Sequence, residues 1–153
     1  MKTMTEEADI NDYVTFTTAG QIFGLPIERV QEVFKPAHIT RVPLASSQIA
    51  GVLNLRGRIV TAIDMRSRLD LHVEDESQAR MAIGIESRAE SFGLLVDALG
   101  EVLKLPDDTR EANPINLDRK LARVSAGVHR LDGQLLVVLD VDRVLELGAE
   151  AAA

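Results

Sequence analysis

Apolar and polar residues alternate in short runs divided by turn residues, and this period-two pattern predicts strands. Tyr13–Thr18 is the first run, Ala19-Gly20 turns it, and Gln21–Ile27 returns, with Pro26 placing that end at a sheet edge. Glu28-Arg29 turn the chain into a third strand, Val30–Phe34. Val30, Glu32 and Phe34 share one side of it, and Gln31, Val33 and Lys35 the other, so neither side is uniformly apolar. Such a strand fits a partner-contacting edge, but more often it is an ordinary edge. The connector Lys35–Pro43 carries two prolines that keep it extended, and Ser46-Ser47-Gln48 form a single turn before the most ordered pattern in the chain.

That pattern is Ala50–Met65, two apolar runs around Arg56-Gly57. It predicts a β-hairpin whose turn uses Gly57 at positive φ. It recurs as Ala126–Val141, with Gly133 in the place of Gly57 and Asp140 in that of Asp64, at an offset of 76 (126 − 50). A second block, Phe23–Lys35, recurs as Phe92–Lys104 at an offset of 69 (92 − 23). The chain is therefore a tandem of two β units, and the second carries seven extra residues, for which Pro106–Lys120 is the natural place. Arg80–Ile85, Phe92–Val96 and Glu101–Leu105 repeat the early strands. Asp64 and Asp140 are placed to cap short helical turns over Met65–Leu69 and Val141–Leu147.

The predicted fold class is mainly β: two packed five-stranded barrels from the tandem repeat, with short helical turns. Residues 1–11 read as a disordered acidic tail and 148–153 as a frayed end. Between them, 12–147 divides at the acidic link Glu74–Gln78 into subdomains of about 12–73 and 74–147. Units of this size bury little surface alone, so the two are expected to pack as one body.

Composition narrows the function. Hydrophobic residues make up 46% of the 153 but aromatics only 3%, so the core is aliphatic. The absence of Cys excludes disulfides, thiolate metal sites and a Cys nucleophile. A net charge of −7 argues against nucleic acid and anionic membranes as partners. No apolar run reaches the roughly 18 residues of a membrane span, and the acidic start lacks a secretory pattern, so a cytoplasmic protein is expected.

The sequence holds no constellation of residues that would justify reading it as an enzyme. His38, His72 and His129 are isolated, read as surface residues, and no metal site is expected. No nucleophile elbow or phosphate-binding loop is present, and no cofactor is implied. A hydrolase using Asp64 or Asp140 is the enzyme alternative, set against capping roles for the same residues. Arg56, Arg58, Arg66 and Arg68 form a local basic cluster, either a solvated rim or a docking patch for an acidic partner. The repeat adds one asymmetry. Glu32 and Arg56 have Glu101 and Asp132 as counterparts, so an acid–base pair between third strand and hairpin turn can form only in the first half.

Tyr13-Val-Thr-Phe16, Phe23–Val33, Ile49–Arg66 with its Asn54-Leu55-Arg56-Gly57, and Phe92–Leu103 together resemble the CheW family over about residues 12–147. The resemblance implies two intertwined SH3-like barrels. It implies a non-catalytic adaptor, cytoplasmic and recruited to membrane-bound arrays, that couples the cytoplasmic tips of chemoreceptors (methyl-accepting proteins) to the regulatory domain of the histidine kinase CheA. Carried over by position, Val30, Glu32, Asn54, Leu55, Arg56, Gly57 and Arg58 lie at or beside the receptor-binding region. At 153 residues the chain has no room for the further domains of CheA or CheV, so a stand-alone domain is expected. A scaffold for twitching motility or a similar pathway, and a β-barrel interaction domain of unrelated purpose, are the alternatives.

Overall fold

A computed structural model of the chain describes residues 9–71 and 80–146. β1 (Ile10–Thr18) and β2 (Gln21–Pro26) form a hairpin, and a 3-10 turn at Ile27–Arg29 leads into β3 (Val30–Phe34). β4 (Ile49–Leu55) and β5 (Arg58–Asp64) make the central hairpin, followed by the one-turn helix α1 (Met65–Arg68). The second half repeats the order: β6 (Met81–Ser87), β7 (Glu90–Val96), β8 (Ala98–Pro106), α2 (Arg119–Val124), β9 (Ser125–Leu131), β10 (Gln134–Leu139) and α3 (Val141–Val144). The acidic link at 74–78, His72 and the C-terminal end from residue 147 lie outside the described residues.

The ten described strands form two five-stranded sheets, ordered β8-β1-β2-β10-β9 and β3-β6-β7-β5-β4. The sheets do not divide where the sequence does. Each takes its first two strands from one half and its last three from the other. This corrects the subdomains expected at 12–73 and 74–147. The chain leaves the first sheet at Ile27–Arg29 and returns to it at Asp97. The pleat dictates which faces are apolar but not which half supplies the neighbouring strand.

Pairing follows the repeat residue by residue. β2 meets β10 in parallel with Phe23 opposite Val137, and β7 meets β5 with Phe92 opposite Thr61, so the two registers are the same under the two sequence offsets. The N-terminal strand starts earlier than the tail expected to run to residue 11. Ile10 and Asn11 pair with Pro106 and Leu105, because β8 runs long enough to hold them.

Alternation along Phe23-Gly24-Leu25 explains the repeated Phe-Gly-Leu. Phe23 and Leu25 enter a core shared by both sheets, with Phe16, Ile63, Ile83 and Leu94, and Phe16 stacks on Phe23 at 5.2 Å between centroids. Gly24 faces the narrow interior of its own barrel, where an added Cβ would lie 3.0 Å from Leu136 Cδ2. Gly93 faces the other interior, formed with Val60, Ala82 and Leu95 among others. Three apolar layers result: one barrel interior on each side and the larger shared core between them.

Two connectors close the barrels in matching ways. Thr40 bridges Val52, and Glu111 bridges Val128. Gly51 and Gly127 beside these bridges have φ of +149° and +131°, and a Cβ on Gly51 would come within 2.2 Å of Thr40 O. Beyond the bridge the second connector is the longer. Its extra length folds into α2, where the first half has only turns. Asp118 caps α2 by accepting from Lys120 N at 2.8 Å, and Leu121 and Val124 bury against the shared core.

His129, read from the sequence as a surface residue, is 1% exposed in β9. Thr109 Oγ1 donates to Pro106 O at 2.9 Å, so its 3.2 Å contact with His129 Nδ1 is best satisfied by Nδ1–H as the donor. That leaves Nε2 buried without a partner. Burial and then the charge of Arg110 lower the His129 pKa, against the opposing charges of Asp107 and Glu111. A lowered folded pKa means the unfolded chain binds more protons, so stability is full above the ordinary value of 6.5 and is lost as pH falls through the folded value. The urea midpoint is expected to be lower at pH 5 than at pH 7.5, and His129→Phe to flatten that difference; an equal slope in the variant would assign it elsewhere. Gly51→Ala is expected to cost about 2–3 kcal/mol by driving a Cβ into the Thr40 carbonyl. Gly57→Ala, at φ +86° in open space, should cost only about 1 kcal/mol, and thermal melts of the two variants compare them directly.

Candidate functional site

The central hairpin turns at Arg56-Gly57 with φ of +53° and +86°, both residues in the left-handed region, as a two-residue type I′ turn requires. Asn54 Oδ1 accepts from Gly57 N at 2.8 Å and closes the turn from inside. Leu55 is half-buried against the barrel interior and anchors the hairpin end. The four residues Asn54-Leu55-Arg56-Gly57 thus build one object: a rigid tip that projects the Arg56 guanidinium.

That guanidinium reaches Glu32 on β3, where Arg56 Nη2 donates to Glu32 Oε1. Arg58 Nη2 approaches Glu32 Oε2 at 3.5 Å. The Glu32 side chain is 25% exposed and the Arg56 side chain 68%, so the acid is seated and the base is presented. Glu32 owes its seat to two features of the strand pair. A bulge between Val30 and Glu32 interrupts the register with β6. It lets Val30 pack on the shared core while Phe34 packs on the barrel interior. Opposite Glu32, β6 carries Gly84, where an added Cβ would sit 3.4 Å from Glu32 Cγ. Gly84 was not picked out from the sequence, although a glycine inside an apolar strand is the signal for such a close approach. Gln31 Nε2 donates to Glu86 Oε1 at 2.7 Å on the exposed side of the same strand pair.

The structure therefore gathers Glu32, Asn54, Arg56, Gly57 and Arg58 at one surface and places Val30 and Leu55 beneath it. The basic cluster does not hold together beyond this. Arg66 is 7% exposed and donates from Nε to Asp97 Oδ1 at 2.8 Å. Arg68 donates to the carbonyls of Val144 and Arg143 at 2.8 and 2.9 Å, at the end of α3. The helical start after Asp64 turns these two away from the hairpin face. In the other sheet, Glu101 and Asp132 are exposed, and neither makes an ion pair among the described residues.

Asp64 and Asp140 have local partners. Asp64 Oδ1 accepts from Arg66 N at 3.0 Å and from Arg80 Nη2 at 2.7 Å. Burial alone would raise its pKa, but the hydrogen bond and charge of Arg80, with the backbone N–H groups of Ser67 and Arg66, outweigh that and hold it below 3.8. Asp140 Oδ1 accepts from Arg143 N at 3.3 Å at the start of α3. Gly133 turns the second hairpin at φ +80°. Among the described residues no group of three or more His, Asp or Glu is arranged to hold a metal, and no helix is long and apolar enough to cross a membrane.

Residues 12–148 match the CheW-like domain family. The chain is 27% identical over 146 residues to the chemotaxis protein CheW of Thermotoga maritima, covering 95% of each. It is 28% identical over 145 residues to the probable chemotaxis protein CheW of Rhizobium etli, covering 92% of each. It is also 26% identical over 142 residues to the chemotaxis protein CheA of Salmonella typhimurium, covering 92% of this chain but 20% of that one. The crystal structure of the scaffolding protein TtCheW from Thermoanaerobacter tengcongensis superposes with a TM-score of 0.80 at 27% identity, covering 92% of this chain and 91% of that one. The strand-exchanged double sheet and the match across nearly all of it have one meaning: the chain belongs to the CheW-like domain family.

Proposed function

We propose that this protein is a non-catalytic adaptor that couples the cytoplasmic tips of chemoreceptors to the regulatory domain of a CheA-type kinase. It works in the cytoplasm, at membrane-bound receptor arrays. The observation that carries the reading is the acid–base tip itself: Glu32 seated on β3, with Arg56 and Arg58 converging on it from the hairpin. A receptor tip that offers a carboxylate can share Arg56 with Glu32, and one that offers an amide or a cation can address Glu32 directly. Val30 and Leu55 set the position of this surface from below, while Asn54 and Gly57 hold its turn.

The kinase partner is supported by the CheA relative, which matches this chain over one fifth of its own length. A kinase carrying a domain of this kind can meet the adaptor through like surfaces. Such an adaptor acts by linked affinities: a change at the receptor surface reaches the kinase only if the two bound states differ in free energy.

The exposed Glu32–Arg56 pair contributes only ~0–1 kcal/mol to stability. Arg56→Glu is therefore expected to leave the melting temperature within a few degrees while lowering receptor-tip affinity about tenfold or more through like-charge repulsion with Glu32. Pull-down with a receptor tip and a CheA regulatory domain should show both bound to the wild type at once, and the kinase fragment alone retained by the variant. Unchanged receptor binding by the folded variant removes Arg56 from the interface. Gly57→Val tests the scaffold rather than the contact: a β-branched residue at φ +86° should lower the melting temperature, and an unchanged melt would contradict the turn's structural role.

A further inference from the structure

A cleft of about 560 Å³ opens on another part of the molecule, where α1, α2 and α3 approach one another. Its charged lining is Arg68, Lys120, Arg123 and Arg143 against Asp70 and Glu146. Among the described lining residues four cations face two acids, with Asp140 beside the cleft answering one of the four, in a chain of net charge −7. The excess arises where the repeat is broken, because Lys120 and Arg123 sit on α2, which has no helical counterpart in the first half.

The cations are held in different ways. Arg68 is fixed by its bonds to the carbonyls at the end of α3. Lys120 is answered by Asp70, and Arg143 by Asp140 at 3.5 Å. Arg123 has no hydrogen-bond or ion-pair partner among the described residues.

We propose that this cleft docks an acidic peptide segment of a partner protein, with Arg123 and Arg143 taking its carboxylates. Peptide is favoured over nucleotide because, among the described residues, no aromatic ring lines the cleft and Val124 is the one aliphatic wall. It is favoured over a bare anion because a cleft of about 560 Å³ with Arg123 and Arg143 on separate helices is far larger than a single phosphate-sized ion needs. The site is separate from the Glu32–Arg56 tip, and this inference rests on the adaptor role proposed above.

The test is fluorescence anisotropy of a labelled hepta-glutamate peptide against the full chain in low salt. Saturable binding is expected, weakened about tenfold by Arg123→Glu or Arg143→Glu and by moderate salt. Lys104→Glu makes the same charge change on β8 and should leave the affinity unchanged. Circular dichroism melts verify that the variants are folded, and Arg123→Glu in particular breaks no hydrogen bond or ion pair among the described residues. Absence of saturable binding overturns the proposal. So does equal weakening by Lys104→Glu, which would mean attraction to charge at large. Binding of pyrophosphate that the peptide cannot displace would also overturn it, as a small-anion site. None of these outcomes bears on receptor-tip or kinase binding, which the Arg56→Glu experiment reads separately.

Discussion

The constraint on which the rest depends is that neither half of the chain can bury its own Phe-Gly-Leu strand. β2 and β7 each carry aromatics and aliphatics on one face and a glycine on the other. The large face needs a deep core, and the glycine face needs a close neighbour. Exchanging strands supplies both. Each of these strands pairs in parallel with the last strand of the other half, and its large side chains meet in a core that belongs to neither half alone. Separating the sheets would expose Phe16, Phe23, Ile63 and Leu94 together, at roughly 1.5–3 kcal/mol each. The two barrels therefore stand or fall as one body.

The crossings that this exchange requires are held by buried polar contacts. Asp97, where the chain passes from one sheet to the other, accepts from Arg66 of α1 with one oxygen and from Ala19 N of the first hairpin at 2.8 Å with the other. An Arg66 guanidinium spent in this way is unavailable to the surface, even though it lies only ten positions beyond Arg56 in sequence. Charge near the hairpin is thus divided by the fold into a structural share, Arg66 and Arg68, and a presented share, Arg56 and Arg58. The presented share is the one a partner can use.

Much of this was legible in the residues. Two offsets in the repeat were enough to expect equivalent β units, and the paired registers of Phe23 with Val137 and Phe92 with Thr61 follow those offsets position by position. The Arg56-Gly57 turn and the Glu32–Arg56 asymmetry were also readable, because turn chemistry and sign of charge are local properties. The exchange of strands was not readable from the pleat, since alternation encodes which face is buried and says nothing about the neighbour. His129 looked like an isolated surface residue, because its burial depends on Tyr13 and Thr109, distant in sequence. Gly84 passed unnoticed for the same reason: its importance is the Glu32 stem lying against it from another strand.

An internally repeated fold begins with two equivalent surfaces, and an adaptor needs them to differ. The differences here are few and local. One hairpin tip carries Arg56 and Arg58 against Glu32, and the matching positions of the other half hold Asp132, Gln134 and Glu101, so the loss of two bases leaves only one barrel able to form the acid–base tip. One connector turns back directly, and the other extends into α2, adding two cations to a cleft that the first connector could not have built. The change at the tip leaves the shared core untouched, while the longer connector adds Leu121 and Val124 of α2 to it. Each alters a tip or a connector, where a substitution or insertion costs the fold almost nothing. The repeat supplies stability through what its halves share, and partner choice lies in the few places where they do not match.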